Sequence, residues 1–187
     1  IYIICKHCKD EYLTPVFDTR NLGGDFKVYS FFKLRDLKDL AYTKYYYIGH
    51  KIYHTLSKIA RESFVDLMKL DSKICLIPID DTIKRGYSQN AIFAKNLKTK
   101  NLIPYYGVLR ARNDVIYAGK DLEFRESNKR DFQYSGKQNI DAIILDDIIT
   151  TGTTMKEAKE ILNQNGVNVL FGMTLFDARD EDDNFTD

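Results

Sequence analysis

Residues 142–154 read AIILDDIITTGTT. The opening AIIL is apolar without alternation, the pattern of a strand buried on both faces in a parallel sheet. It runs directly into two carboxylates, Asp146 and Asp147, and then into Thr150, Thr151, Thr153 and Thr154 set around Gly152. The following TMKEAKEILNQNG (154–166) reads as a helix that begins with threonine and stops at Gly166. Strand, turn and helix in that order place the acids at the C-terminal end of a strand, where open parallel sheets bind ligands. Gly152 lets the backbone approach a ligand or take a positive φ. Free N–H groups at a helix start attract anions, and threonine hydroxyls donate to phosphate oxygens. The turn has neither the GK[ST] of a Walker A loop nor GxGxxG.

The rest of the chain agrees with an α/β sheet. FKVYSFF (26–32), KICLIPI (73–79), LIPYYGVL (102–109) and VNVLFGMTLFD (167–177) read as strands. Residues 33–69 read as helical, with Ile48, Ile52, Leu56, Ile59 and Ala60 on one buried face. Lys44, Lys51 and Lys58 recur at seven and share a wet face, and His50 and His54 stand at i and i+4 as surface histidines. Residues 88–98 read as another helix, and 110–138 as a long polar loop of the kind that closes over sites. Residues 1–25 read as irregular, ending in the turn signal NLGGD.

The 187 residues suit one domain, 44% hydrophobic, and no apolar run approaches the ~18 residues of a membrane span. No signal peptide is expected, and a cytoplasmic protein follows. The chain begins with Ile, as a segment of a longer product would. The C-terminal DARDEDDNFTD (177–187) is an acidic tail of six acids and one base. Residues 1–176 therefore carry 27 basic and 21 acidic groups, a net of +6 that suits phosphate or nucleic-acid partners. Three cysteines give no disulfide framework. Cys75 lies in an apolar run, a core position. Cys5 and Cys8 have the CxxC spacing of half a tetrahedral zinc site. His7 between them is poorly placed as a third ligand. The pair either completes its set with cysteines upstream or is a redox or incidental CxxC.

ILDDIITTGTT resembles the 5-phosphoribosyl 1-diphosphate (PRPP) motif of type I phosphoribosyltransferases: apolar residues, two acids, and a T-T-G-[ST]-T turn. Other segments resemble the ComF competence family within that fold. RGYSQ (85–89) is similar to its RGFNQ, and IPID around Pro78 to its PVP strand end, with Asp80 in place of a second proline. VLRARND (108–114), the Arg125, Asn128 and Phe132 spacing, and VYSFFKLRDLKDLAYTKYY with Lys44 also match. The glutamine usual before L-x-x-x-x-R is absent, and Ala118 and Gly119 stand there.

The resemblance implies an open, mainly parallel sheet flanked by helices. Residues 26–176 would form it, after a zinc-ribbon remnant over 1–25 in which Cys5 and Cys8 are the second cysteine pair. Asp146 and Asp147 would meet the ribose hydroxyls, directly or through Mg²⁺, and the turn from Thr150 to Thr154 would hold the 5-phosphate. Asp80, Asp81, Lys84 and Arg85 would lie near the diphosphate. The implied biology is natural transformation, with single-stranded DNA and competence proteins such as an uptake helicase as partners. Lys44, Lys51, Tyr105, Arg110, Arg112 and Arg125 are the DNA candidates, from stretches where aromatics interleave with cations. A phosphoribosyl transfer to a nitrogen acceptor is the alternative, and no acceptor signature is found.

Overall fold

A computed structural model describes residues 4–65, 71–80, 82–83, 86–112 and 130–179. Asp81, Lys84, Arg85, Arg125 and most of the long polar loop lie outside the described residues. The elements are α1 (Lys6–Tyr12), β1 (Asp18–Asn21), β2 (Lys27–Lys33), α2 (Lys38–Tyr42), a 3₁₀ turn (Thr43–Tyr45) and α3 (Gly49–Val65), then β3 (Ile74–Pro78), α4 (Gln89–Leu97) and β4 (Leu102–Pro104). They continue with β5 (Leu109–Ala111), β6 (Phe132–Tyr134), β7 (Ile140–Ile149), α5 (Thr153–Gln164) and β8 (Val167–Asp177).

One sheet has the order β1-β2-β8-β7-β3-β4. Every pairing in it is parallel except β1 with β2. β5 and β6 form a separate antiparallel hairpin. The pleat sorts the central strand between two cores, because successive side chains point to opposite faces. Ile143 and Leu145 of β7 join Tyr53, Leu56, Phe93 and Leu97 of α3 and α4. Ala142 and Ile144 join Met155, Ala158 and Leu162 of α5, with Leu109 and Phe132 of the hairpin. The sheet is thus covered on both faces, and the apolar run of β7 follows from that burial.

Five sequence expectations change. The helical stretch 33–69 is broken: Tyr46, Tyr47 and Ile48 interrupt it, and Ile48 is exposed rather than buried. Lys51 and Lys58 do share an exposed face of α3, but Lys44 sits before the break and turns inward. LIPYYGVL is two strands in two sheets, because the positive φ of Gly107 (69°) turns the chain between β4 and β5. Residues 1–25 are less irregular than read: α1 forms, and β1 adds to the main sheet as its antiparallel edge. Asp177, the first residue of the acidic tail as read, is the buried last residue of β8.

Candidate phosphate and sugar site

β7 does not stop before the acids. It runs through Asp146 and Asp147 to Ile149, paired with β8 to its end. Adjacent positions on a strand face opposite ways, so the two carboxylates acquire different surroundings. Asp147 is on the side of α2 and α3. Lys44 donates to its Oδ2 at 2.8 Å, and the Tyr53 hydroxyl lies 3.5 Å from the same oxygen. Tyr53 also donates to the Ala41 carbonyl at 2.9 Å, which fixes the ring under the 3₁₀ turn that carries Lys44. Burial opposes ionisation of Asp147, but the Lys44 ammonium overrides it and holds the carboxyl below its usual range.

Among the described residues, Asp146 has no such cation in contact. Asn90 Nδ2 and the Asp147 backbone N–H donate to its Oδ1 at 3.0 and 2.9 Å. Burial and the neighbouring Asp147 charge push its carboxyl up to about 7, against the pull of Arg130. Asn90 Nδ2 also donates to the Ile79 carbonyl at 2.8 Å, joining the end of β3 to Asp146. Ser88 makes this possible by capping α4, its hydroxyl accepting from Ala91 N at 3.2 Å. Asn90 Oδ1 is buried and has no hydrogen-bond partner among the described residues.

Past β3, Asp80 takes a left-handed φ of 44°, which aspartate tolerates better than most residues. Its N–H donates to the Leu109 carbonyl at 3.1 Å, and Thr82 donates to its Oδ1 at 2.9 Å. Arg130 Nη1 stands 4.0 Å from its Oδ2. Arg130 is brought there by Glu157 of α5. The two carboxylate oxygens accept from Arg130 N at 3.1 Å and Asp131 N at 2.8 Å.

After β7 the chain turns at Gly152, whose φ of 82° makes it the left-handed N-cap of α5. A Cβ there would stand 2.6 Å from Leu22 Cδ2. Thr151 and Thr153 hydroxyls lie 2.9 Å apart, and Thr153 N is 3.4 Å from Thr151 Oγ1. Thr150 and Thr151 are exposed, Thr153 and Thr154 half-buried. The turn therefore presents hydroxyls to solvent at a strand end, a few residues from the half-buried Asp146 and the buried Asp147.

The structure thus brings Asp146, Asp147, Asp80 and the 150–154 turn to the C-terminal edges of β3 and β7. Lys44 joins them as the partner of Asp147, not as part of an exposed face. Lys51, Arg110 and Arg112 are exposed, on α3 and on the hairpin respectively. Arg112 Nη1 is 3.7 Å from Asp131 Oδ2, and the Tyr105 hydroxyl accepts from Lys137 N at 3.0 Å. Cys5 and Cys8 place their sulfurs 2.8 Å apart, while His7 pairs with Glu11 at 2.8 Å and turns away from them. No group of three or more His, Cys, Asp or Glu able to hold a metal is found among the described residues. Among those residues no helix is long and apolar enough to cross a membrane.

Sequence reasoning missed Tyr53, Asn90, Arg130, Glu157 and Arg20. Glu157 falls off the Met155, Ala158, Leu162 stripe, so helical periodicity marks it as wet. Asn90 had one available signal, its place directly after the capping Ser88 and Gln89.

No family model matches the chain, and no curated protein matches it. Among solved structures it is similar to a hypoxanthine phosphoribosyltransferase from Staphylococcus aureus, at 19% identity and a TM-score of 0.42. That match covers 68% of this chain and 64% of the other, so the chain spans a little under two thirds of that protein. An adenine phosphoribosyltransferase from Saccharomyces cerevisiae is similar at 15% identity and a TM-score of 0.41, over 86% of this chain and 83% of that one. Leishmania donovani UMP synthase is similar at 18% identity and a TM-score of 0.41, over 79% of this chain and 25% of that one.

Proposed function

We propose that this protein binds PRPP at the C-terminal edge of β3 and β7. The observation that carries the reading is the sequence of groups along one chain segment: a half-buried and a buried carboxylate, then a left-handed glycine N-cap among threonines. The turn at 150–154 takes the 5-phosphate, whose oxygens accept from amides and hydroxyls. Asp146 and Asp147 accept from the ribose hydroxyls. Lys44 and Tyr53 hold Asp147 ionised and fixed, so no reorganisation is needed on binding. Asp80 and Arg130 stand on the diphosphate side, with Asp81, Lys84 and Arg85 as the remaining candidates there.

Magnesium fits this donor set. It takes one or two carboxylates together with phosphates and waters, and Asp146, half-buried at the end of β7, supplies a carboxylate where those phosphates would lie. When bound it would screen the diphosphate charge. Structural Zn²⁺ at Cys5 and Cys8 would need two further ligands.

The biological reading is a ComF-type role in natural transformation, in the cytoplasm, handling incoming single-stranded DNA with competence proteins such as an uptake helicase. The supporting feature is a run of exposed aromatics, Tyr42, Tyr45, Tyr46 and Tyr47, at the break before α3 and its exposed Lys51. Bases stack on such rings while lysines track the backbone. The alternative is a phosphoribosyltransferase acting on a nitrogen acceptor.

Calorimetry with PRPP and Mg²⁺ tests the site. Wild type should bind and Asp146→Asn with Asp147→Asn should not; equal affinity would remove the site. A mobility shift with oligonucleotides at rising salt tests the DNA role, and a flat salt response would remove it. Diphosphate release with a panel of bases tests transfer.

A further inference from the structure

The edge strand β1 makes contacts that ordinary edge pairing does not require. Arg20 Nε lies 3.1 Å from both carboxylate oxygens of Asp177, which is 1% exposed. Its Nη2 also donates to Asp177, and its Nη1 donates to the Thr150 carbonyl. Arg179 Nη2 braces the same group, 3.1 Å from Asp177 Oδ2 and 2.9 Å from Asp18 Oδ2. Lys33 closes the cluster on Asp18. Ala178 N donates to the Ile149 carbonyl at 2.9 Å, fastening the end of β8 to β7 immediately before Thr150. Just past the end of β1, Leu22 packs its methyl groups against Gly152 so closely that a Cβ there would meet them at 2.6 and 2.8 Å.

A trans peptide is planar, so the Thr150 carbonyl and the Thr151 N–H point in opposite directions. By holding the carbonyl, Arg20 aims the Thr151 N–H away from β1. Leu22 closes the same side of the turn at Gly152. The anion-binding side of the turn is thereby set by a strand more than a hundred positions earlier in the chain, through a partly buried charge cluster that leaves Arg20 little rotational freedom.

We infer that Arg20 is a positioning residue for the phosphate turn, and that Leu22 is the wall behind it. The inference rests on the PRPP reading and adds to it the device that orients the turn toward a phosphomonoester. Lysine at position 20 keeps a charge for Asp177 but lacks the fork that reaches the carboxylate and the Thr150 carbonyl together.

The test uses two ligands on the full chain, ribose 5-phosphate and inorganic pyrophosphate with Mg²⁺, with calorimetric affinities for wild type, Arg20→Lys and Leu22→Ala. The expected result is a loss of about tenfold for ribose 5-phosphate in Arg20→Lys, the worth of one oriented hydrogen bond, with pyrophosphate affinity unchanged. In wild type, ribose 5-phosphate should shift the Thr151 amide resonance, and in Arg20→Lys that shift should shrink. Leu22→Ala disturbs no charge and should weaken ribose 5-phosphate alone, which keeps the test valid if Arg20→Lys fails to fold. Unchanged ribose 5-phosphate affinity in the folded variants overturns the inference and leaves the PRPP reading standing. Equal losses for both ligands also overturn it, since they mark a general loosening. A wild type that binds neither ligand overturns both.

Discussion

Lys44 Nζ lies 2.8 Å from Asp147 Oδ2, and both side chains are largely shielded from water. Removing one member of such a pair strands the other as a buried charge. Lys44→Met should therefore destabilise the protein by about 3 kcal/mol, and Lys44→Met with Asp147→Asn should recover most of that loss. Urea unfolding of the two variants checks this. A Lys44→Met variant as stable as wild type would show that the pair is not desolvated.

The neighbouring carboxylate should set the pH behaviour. Asp146 is pushed up to about 7 by burial and by Asp147, against ~3.9 for an unfolded chain. The folded state therefore binds the proton more tightly. Its contribution to stability is present below about pH 4 and is lost as pH rises through about 7. Asp146→Asn should flatten that part of the stability profile. Since sugar hydroxyls and Mg²⁺ call for the ionised form, PRPP affinity should rise from about pH 6 to about pH 8. Calorimetry across that range, with the Asn variant as control, measures it; a flat wild-type profile would contradict the assignment.

Gly152→Ala should be costly for two separate reasons. Its φ of 82° disfavours a Cβ, and the added atom would run into Leu22. A destabilisation of roughly 1 to 3 kcal/mol is expected, with ribose 5-phosphate binding lost beyond what stability explains. Adding Leu22→Ala should relieve the steric part and leave the backbone part. Thermal unfolding of the single and double variants separates the two.

Glu157→Ala should release Arg130 and Asp131, whose backbone N–H groups it accepts. Leaving two donors without their acceptor should cost about 2 kcal/mol. Arg130 would also lose its place near Asp80, so pyrophosphate affinity should fall while ribose 5-phosphate affinity stays close to wild type. The two affinities measured side by side decide it.

Much of this site was legible in residues 142–154, because strand, acids, glycine and threonines are adjacent in sequence and local geometry carries them together. The double-sided burial of β7 was legible too, since a parallel strand covered on both faces has no polar alternation. The break at Tyr46–Ile48 was not. Tyrosine and isoleucine extend a helical pattern as readily as they end one, and it was packing under the 3₁₀ turn that diverted Lys44 to Asp147. The separation of LIPYYGVL into β4 and β5 depended on Gly107, read as a strand residue and found as a turn.

By itself the sequence determined the α/β class, the order of strands and helices around the turn, and the carboxylates and hydroxyls that gather at the end of β7. It did so because buried strands, amphipathic helices and helix starts each leave local patterns. The tertiary structure decided which charges meet. Asp146 and Asp147 are neighbours in sequence, yet the pleat sends one to Asn90 and the other to Lys44. Arg20 and Thr150 are 130 positions apart, yet the sheet lays β1 behind the 150–154 turn. Contacts of that separation depend on how strands are ordered across the sheet, and no local pattern encodes that order.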